Sequence, residues 1–128
     1  MDDQAIRAEV VRQHRMLADW LGSECDLAVL DALRASHTDD FTMIAPDGVE
    51  VDRSELVEAL ALARNAVPGL EIDVTAIEII AASAETAVVQ FRETHRQGEK
   101  ITPRRTTAVL LRDGEKFRWR HVHETNIS

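Results

Sequence analysis

The sequence predicts an α+β fold, a cone-shaped, curved antiparallel sheet covered by about three helices. Three observations lead to this prediction. Apolar residues recur at helical spacing in the first half of the 128-residue chain, only strand-like patterns follow residue 70, and the turns there are short enough for hairpins. Helices that precede a run of antiparallel strands are typical of α+β proteins. The predicted element order is ααββαββββ, within one domain that spans residues 1–128.

The first two predicted elements are helices. Ile6, Val10 and Leu17 recur at mostly helical spacing over residues 3–21, and Gly22 ends the run. A second, shorter amphipathic stretch follows and ends near Ser36. Its apolar positions are Leu27, Leu30 and Leu33.

A short hairpin and a third helix come next. Residues 41–45 and 49–51 are predicted strands, joined by a turn at Pro46-Asp47-Gly48. Asp52 and Glu55 stand three residues apart, a spacing that predicts a capping box at the start of a helix. Pro68-Gly69 closes this segment.

The remaining elements are all predicted strands. Apolar residues alternate from Leu70 to Ala76 and then change parity at Ile77, which indicates either a β-bulge or a strand covered on both faces. Turns at Gln97-Gly98 and Asp113-Gly114 separate the later strands. Those strands span about residues 85–96, 101–112 and 116–125.

Turn lengths predict which side chains share one face of the sheet. Pairing Arg96 with Ile101 across the first turn places Glu93 directly opposite Arg104. An even-numbered loop at Asp113-Gly114 extends the same face along the last strand, to Phe117, Trp119, His121 and His123. A three-residue loop in either hairpin would instead turn the following strand over and bring Arg105 and Glu124 inside.

The predicted inner face is apolar at one end and polar at the other, a composition typical of a small-ligand pocket. Glu93, His121 and His123 are the candidate catalytic residues, because carboxylates and imidazoles transfer protons once burial and neighbours tune them. The Arg104 guanidinium would suit a carboxylate or another oxyanion on a small organic ligand. The predicted pocket residues are His14, Trp20, Phe41, Phe91, His95, Arg104, Thr106 and Trp119.

Structural roles compete with each of these assignments. Glu93 and Arg104 could form a structural ion pair, and His14 could be a packed helix histidine. His121 and His123 alternate by two and could share a metal ion with Glu93 or His95, but no tight ligand motif is present. We therefore expect neither a metal nor another cofactor.

Composition excludes several classes of partner. A formal charge of −8 opposes binding to a polyphosphate backbone, so we expect no nucleic acid partner. The apolar runs are too short for a bilayer span, and the start of the chain lacks the pattern of a signal peptide, so we expect no membrane association and a cytoplasmic location. Cys25 is the single cysteine, which rules out an internal disulfide.

Three segments resemble the nuclear transport factor 2-like (NTF2-like) superfamily over nearly the whole chain. They are Trp20-Leu-Gly22, Asp40-Phe-Thr-Met-Ile-Ala-Pro-Asp-Gly48 and Trp119-Arg-His-Val-His-Glu-Thr125. The last resembles the Trp-x-x-Val-His strand of the calcium/calmodulin-dependent protein kinase II association domain. Together, the segments most resemble uncharacterised bacterial SnoaL-like proteins. The resemblance implies the cone fold and a homodimer.

The resemblance leaves function open, since this fold hosts isomerases, dehydratases, cyclases, binders and assembly domains. In the ketosteroid isomerase branch a catalytic aspartate stands before a proline, in a segment similar to residues 39–48, but Ala45 precedes Pro46 here. That branch and the scytalone dehydratases also use tyrosines, which this chain lacks. We expect neither chemistry.

Three functions therefore stay open. The first is a homodimeric binder of a small organic molecule, and the second is a cofactor-independent enzyme of the polyketide cyclase, isomerase or dehydratase kind. The third is a self-assembly module without a ligand. A ligand that is changed rather than bound would distinguish an enzyme, and a cavity with room only for water would favour assembly.

Overall fold

The computed structural model describes residues 2–127. The elements follow the predicted order ααββαββββ. They are α1 (Asp3–Gly22), α2 (Ala28–Ala35), β1 (His37–Ile44), β2 (Glu50–Asp52), α3 (Arg53–Ala61), β3 (Glu71–Ala82), β4 (Thr86–Gln97), β5 (Lys100–Asp113) and β6 (Lys116–Asn126).

The strands form one curved, unclosed six-stranded sheet in the order β2-β1-β6-β5-β4-β3. The fold class is the one predicted from the sequence. One strand pair departs from an antiparallel sheet, because β1 and β6 run parallel while the other neighbours are antiparallel. This pairing brings the end of the chain back beside its first strand.

Local sequence explains where the helices begin. The Asp2 carboxylate accepts a hydrogen bond from the Gln4 backbone N–H and caps α1. The predicted capping box of α3 is confirmed: Asp52 accepts from the Glu55 N–H at 2.8 Å, and Glu55 accepts from the Asp52 N–H at 3.2 Å.

The loop after α3 packs against the end of α1. It starts earlier than predicted, since α3 ends at Ala61 and not near Pro68. Its backbone N–H groups satisfy the last carbonyls of α1, which have no partner within the helix. A side chain at Gly22 would come within 2.9 Å of the Leu70 backbone, so this close approach requires glycine. The bonds run from Asn65 N to Trp20 O, from Val67 N to Leu21 O and from Gly69 N to Gly22 O.

The main core lies between α1 and the inner face of the sheet. The indole Nε1 of Trp119 donates to the buried Glu9 carboxylate at 2.8 Å, a bond that ties β6 to α1. Arg12 balances the charge of Glu9 from the same helix. The buried apolar residues of this core are Ile6, Val10, Phe41, Ala87, Val89, Phe91, Ala108, Leu110 and Trp119.

The predicted irregularity in β3 is a β-bulge. The register between β3 and β4 shifts after Thr75, and Ala76 takes a positive φ of 54°. The pairing of β4 with β5 matches the prediction residue for residue, with Arg96 opposite Ile101 and Glu93 opposite Arg104.

The prediction that His121 and His123 share the inner face is wrong. Pairing of β5 with β6 follows the predicted parity as far as Leu110 opposite Trp119, but Val109 then pairs with His121. The extra residue, Arg120, forms a bulge that reverses the facing of everything after it. Turn length determines register only as far as the first irregularity in the strand.

The bulge exchanges the side chains at the polar end of the sheet. Glu124 lies opposite Thr106 on the inner face and is buried. His121 faces outward, where its Nδ1 lies 2.8 Å from the Thr42 hydroxyl, and His123 is exposed. Glu124 therefore takes the place that the sequence analysis assigned to the two histidines.

Candidate functional site

A cavity of about 370 Å³ lies between the helices and the polar end of the sheet. Its helix side is apolar, whereas its sheet side carries charged and hydrogen-bonding groups. A smaller space of about 80 Å³ adjoins it and reaches toward Trp119 and His37. The larger cavity is lined by Leu17, Leu21, Met43, Leu56, Leu60, Val67, Leu70, Glu93, His95, Gln97, Lys100, Thr102, Arg104 and Glu124.

Glu93 is the centre of the polar end and is only 2% exposed. One carboxylate oxygen, Oε1, lies 3.1 Å from His95 Nε2 and 3.4 Å from His14 Nε2. The other, Oε2, accepts a 2.6 Å hydrogen bond from the Thr106 hydroxyl. The predicted ion pair with Arg104 is absent among the contacts of residues 2–127, although the two residues are paired in register.

The hydrogen bonds of His14 define its charge. Its Nδ1 lies 2.7 Å from the Val10 carbonyl oxygen, which only accepts, so this nitrogen carries a hydrogen. Its Nε2 faces the Glu93 carboxylate, another acceptor. Burial lowers the pKa of His14, but the hydrogen bond and negative charge of Glu93 outweigh burial and raise it overall. The geometry thus favours an imidazolium here.

The two buried glutamates have pKa values displaced in opposite directions. Burial raises the pKa of Glu93, but hydrogen bonds from His14, His95 and Thr106 hold it well below its usual range. For Glu124, burial and the nearby Glu93 carboxylate raise the pKa, and Arg104 only partly offsets them. Glu93 is therefore the ionised member of this pair of neighbouring glutamates, while Glu124 retains its proton to higher pH.

Arg104 lies beside Glu124 without saturating its donors. Its Nη1 is 3.4 Å from Glu124 Oε2, a long contact for a charge-assisted hydrogen bond. Its Nε is buried and has no hydrogen-bond partner among residues 2–127. The guanidinium thus lines the cavity with donor capacity to spare.

His37 lies in the deep extension of the cavity. Its Nδ1 donates to the Leu33 carbonyl at 2.6 Å, and its ring meets the Phe41 ring edge-on at 4.5 Å. Burial is the main cause that lowers the pKa of His37 to about 4, helped by the cations Arg53 and Arg118. The deep end therefore holds a neutral imidazole at physiological pH.

Comparison with known proteins places this arrangement in a family. The model of the SnoaL-like domain matches residues 16–126. The chain belongs to the SnoaL-like domain family. It is 33% identical to an NTF-2 like protein of unknown function from Pseudomonas aeruginosa, with a TM-score of 0.93 and coverage of 97% of this chain and 99% of that one. The NTF2-like superfamily predicted from the sequence is confirmed.

More distant structures share the fold of this SnoaL-like domain. A candidate calcium/calmodulin-dependent protein kinase type II association domain from Thiobacillus denitrificans is 16% identical with a TM-score of 0.69, covering 100% of this chain and 96% of that one. A candidate scytalone dehydratase from Novosphingobium aromaticivorans is 13% identical with a TM-score of 0.77, covering 98% and 83%. A search of curated proteins found no match.

The SnoaL-like domain places the predicted pocket residues in three settings. His95 and Arg104 line the larger cavity, and His14, Phe41 and Trp119 line its deep extension. The others lie outside this lining: Thr106 contacts Glu93, Phe91 packs against the His14 ring, and Trp20 donates to the Leu60 carbonyl in a second core cluster.

Sequence reasoning missed several polar side chains of the SnoaL-like cavity, namely Gln13, His37, Gln97, Lys100, Thr102 and Glu124. Glu124 was assigned to the outer face, although the apolar pair Trp119 and Val122, three residues apart, breaks strict alternation and could have indicated the bulge. Gln13 lines the deep extension, and its buried Oε1 has no hydrogen-bond partner among residues 2–127. No sequence pattern pointed to this glutamine.

Two further findings concern metals and membranes. No group of three His, Cys, Asp or Glu side chains among residues 2–127 is arranged to hold a metal ion. Within the same residues, no helix is both long and apolar enough to cross a bilayer. The cytoplasmic location stays a prediction.

Proposed function

We propose that this SnoaL-like domain binds a small organic ligand whose carboxylate or other oxyanion pairs with Arg104. The cavity of about 370 Å³ carries this proposal, because it combines an apolar wall with a cation whose Nε has no partner among the described residues. Apolar cavities with a few convergent polar groups are typical small-molecule sites. The size of the cavity also argues against an assembly module with a filled cone.

The two walls of the cavity would bind different parts of the ligand. Leucines from α1 and α3 form the helix wall, on which an apolar body would pack. Along the sheet wall, cross-strand register stacks Gln97 opposite Lys100, His95 opposite Thr102 and Glu93 opposite Arg104. Lys100 and Arg104 are the cations of this wall and attract an anionic end group.

Octanoate and its uncharged analogue octanamide test this proposal. We expect octanoate to bind the parent protein more tightly than octanamide, and Arg104→Gln to weaken octanoate binding by about tenfold or more. Arg105→Gln is the matched control, because Arg105 is the next residue and lies exposed on the opposite face. Its affinity should equal that of the parent. Absence of binding by both compounds would refute the proposal.

A second candidate is an enzyme that transfers protons within the same cavity. The opposed pKa shifts of Glu93 and Glu124 favour it, since Glu124 keeps a proton to donate while the ionised Glu93 holds His95 in place. Glu124 would act as the acid. His95, whose Nε2 hydrogen is held by Glu93, would act as the base through its other nitrogen. Recovery of a bound compound in chemically changed form would establish catalysis.

We also propose that the protein is a homodimer formed through the outer face of the sheet. Val88, Val109 and Leu111 are apolar, only half-buried and neighbours on that face. Light scattering should give about twice the chain mass of 14.3 kDa. Val109→Glu should give the monomer mass, because it places a charge in the contact. A parent protein with the monomer mass would contradict the dimer.

A further inference from the structure

The Glu124 carboxyl group lines the same cavity wall as Glu93 and Arg104. It lies opposite Thr106, whose hydroxyl donates to Glu93, and it faces the Arg104 guanidinium at 3.4 Å. Ionised Glu124 would be the counterion of Arg104 but would also repel Glu93. Protonated Glu124 can donate to Glu93 and leaves Arg104 free for another anion.

From this geometry we infer that the cavity takes up its anionic ligand together with one proton, which goes to Glu124. The inference rests on the proposed function, since it concerns the same ligand at Arg104. The ligand oxyanion replaces the Glu124 carboxylate as the partner of the guanidinium. The proton comes from solvent, so the charge of the wall is unchanged when the anion enters.

Electrostatics links the two events in both directions. An anion beside Arg104 disfavours a second negative charge on Glu124, so ligand binding strengthens proton binding there. By reciprocity, proton binding strengthens ligand binding to the same extent. Affinity for the anion therefore falls as the pH rises from the range in which Glu124 is protonated in the free protein.

Other titratable groups line the cavity with Glu124, and their proton uptake has to be distinguished from that of Glu124. His14 comes from α1, His37 comes from β1, Glu93 and His95 come from β4, and Lys100 and Arg104 come from β5. An imidazolium at any of these histidines would also favour an anion. A pH dependence of affinity in the parent protein alone thus does not assign the proton to Glu124.

Calorimetric titration with octanoate measures directly how many protons the protein takes up on binding. Binding heats in two buffers with different ionisation enthalpies give the number of protons taken up per ligand. We expect a value approaching about one proton in the pH range in which Glu124 is ionised in the free protein, with affinity falling by up to about tenfold per pH unit there. Octanamide should bind without proton uptake, because it brings no charge to Arg104.

Glu124→Gln assigns the proton to this residue. Glutamine keeps the size of the side chain and mimics the protonated form, so the variant should bind octanoate at every pH about as tightly as the parent does at low pH. Proton uptake should disappear. Glu78→Gln, on the exposed outer face, is the matched control and should retain the uptake.

The outcomes distinguish this inference from the proposed function. Octanoate binding by the parent with no proton uptake would overturn the inference and leave the binding function intact. Undiminished uptake in a folded Glu124→Gln variant would also overturn it, because the proton would then go to another group of the cavity. Failure of octanoate and octanamide to bind would remove the binding function and the inference with it.

Discussion

Replacing Glu93 with alanine is expected to lower the free energy of unfolding by about 3–5 kcal/mol. The substitution leaves the buried His14 imidazolium without its counterion and deprives His95 and Thr106 of their acceptor. Burial of unpaired charges and polar groups is among the largest single-residue costs in proteins. Urea unfolding of the variant and the parent measures the difference.

The conservative variant Glu93→Gln separates the effect of losing the charge from the effect of losing the side chain. Glutamine still accepts hydrogen bonds but carries no charge for His14, so we expect a smaller loss, of about 2 kcal/mol. Glu78→Ala is the control, because Glu78 is exposed and such substitutions cost little. A Glu93→Ala variant as stable as the parent would show that the cluster contributes nothing to the fold and is maintained only for its chemistry.

The second large effect is a loss of stability in acid caused by His37. Its pKa is lowered to about 4 in the folded protein, whereas an unfolded histidine titrates near 6.5. Below pH 6.5 His37 binds a proton in the unfolded chain but stays neutral in the folded protein. The contribution of His37 to the free energy of unfolding is therefore present above pH 6.5 and is lost as the pH falls. The loss reaches about 3 kcal/mol near pH 4.

Unfolding of the parent and of His37→Asn at pH 7 and pH 4 isolates this contribution. Asparagine can place its side-chain N–H near the position of Nδ1 and donate to Leu33, but it does not titrate. We expect the variant to be less stable than the parent at pH 7 and to lose about 3 kcal/mol less between the two pH values. Equal losses in both proteins would show that other groups carry the acid sensitivity.

Local sequence patterns predicted most of the fold. The capping box at Asp52 and Glu55, the bulge in β3 and the pairing of β4 with β5 depend on neighbouring residues or on a short turn. Such features follow from hydrogen bonds and side-chain alternation within a few residues. The alternation also identified the apolar and polar ends of the inner face.

Long-range contacts decided which side chains lie at the polar end of the inner face of the sheet. One extra residue at Arg120 reversed the last strand, which moved Glu124 inward and His121 and His123 outward. The partner of Arg104 changed for the same reason, from Glu93 to Glu124.

The sequence on its own was sufficient for the element order and the place of Glu93, because periodicity and turn chemistry are local, and the resemblance of three segments supplied the fold family. The tertiary structure was needed to bring His14 from α1 against Glu93 and to set Glu124 beside it. These groups lie far apart along the chain, so only the docking of α1 and the bulged course of β6 decide their distances. Their pKa values and the charge of the cavity depend on those distances.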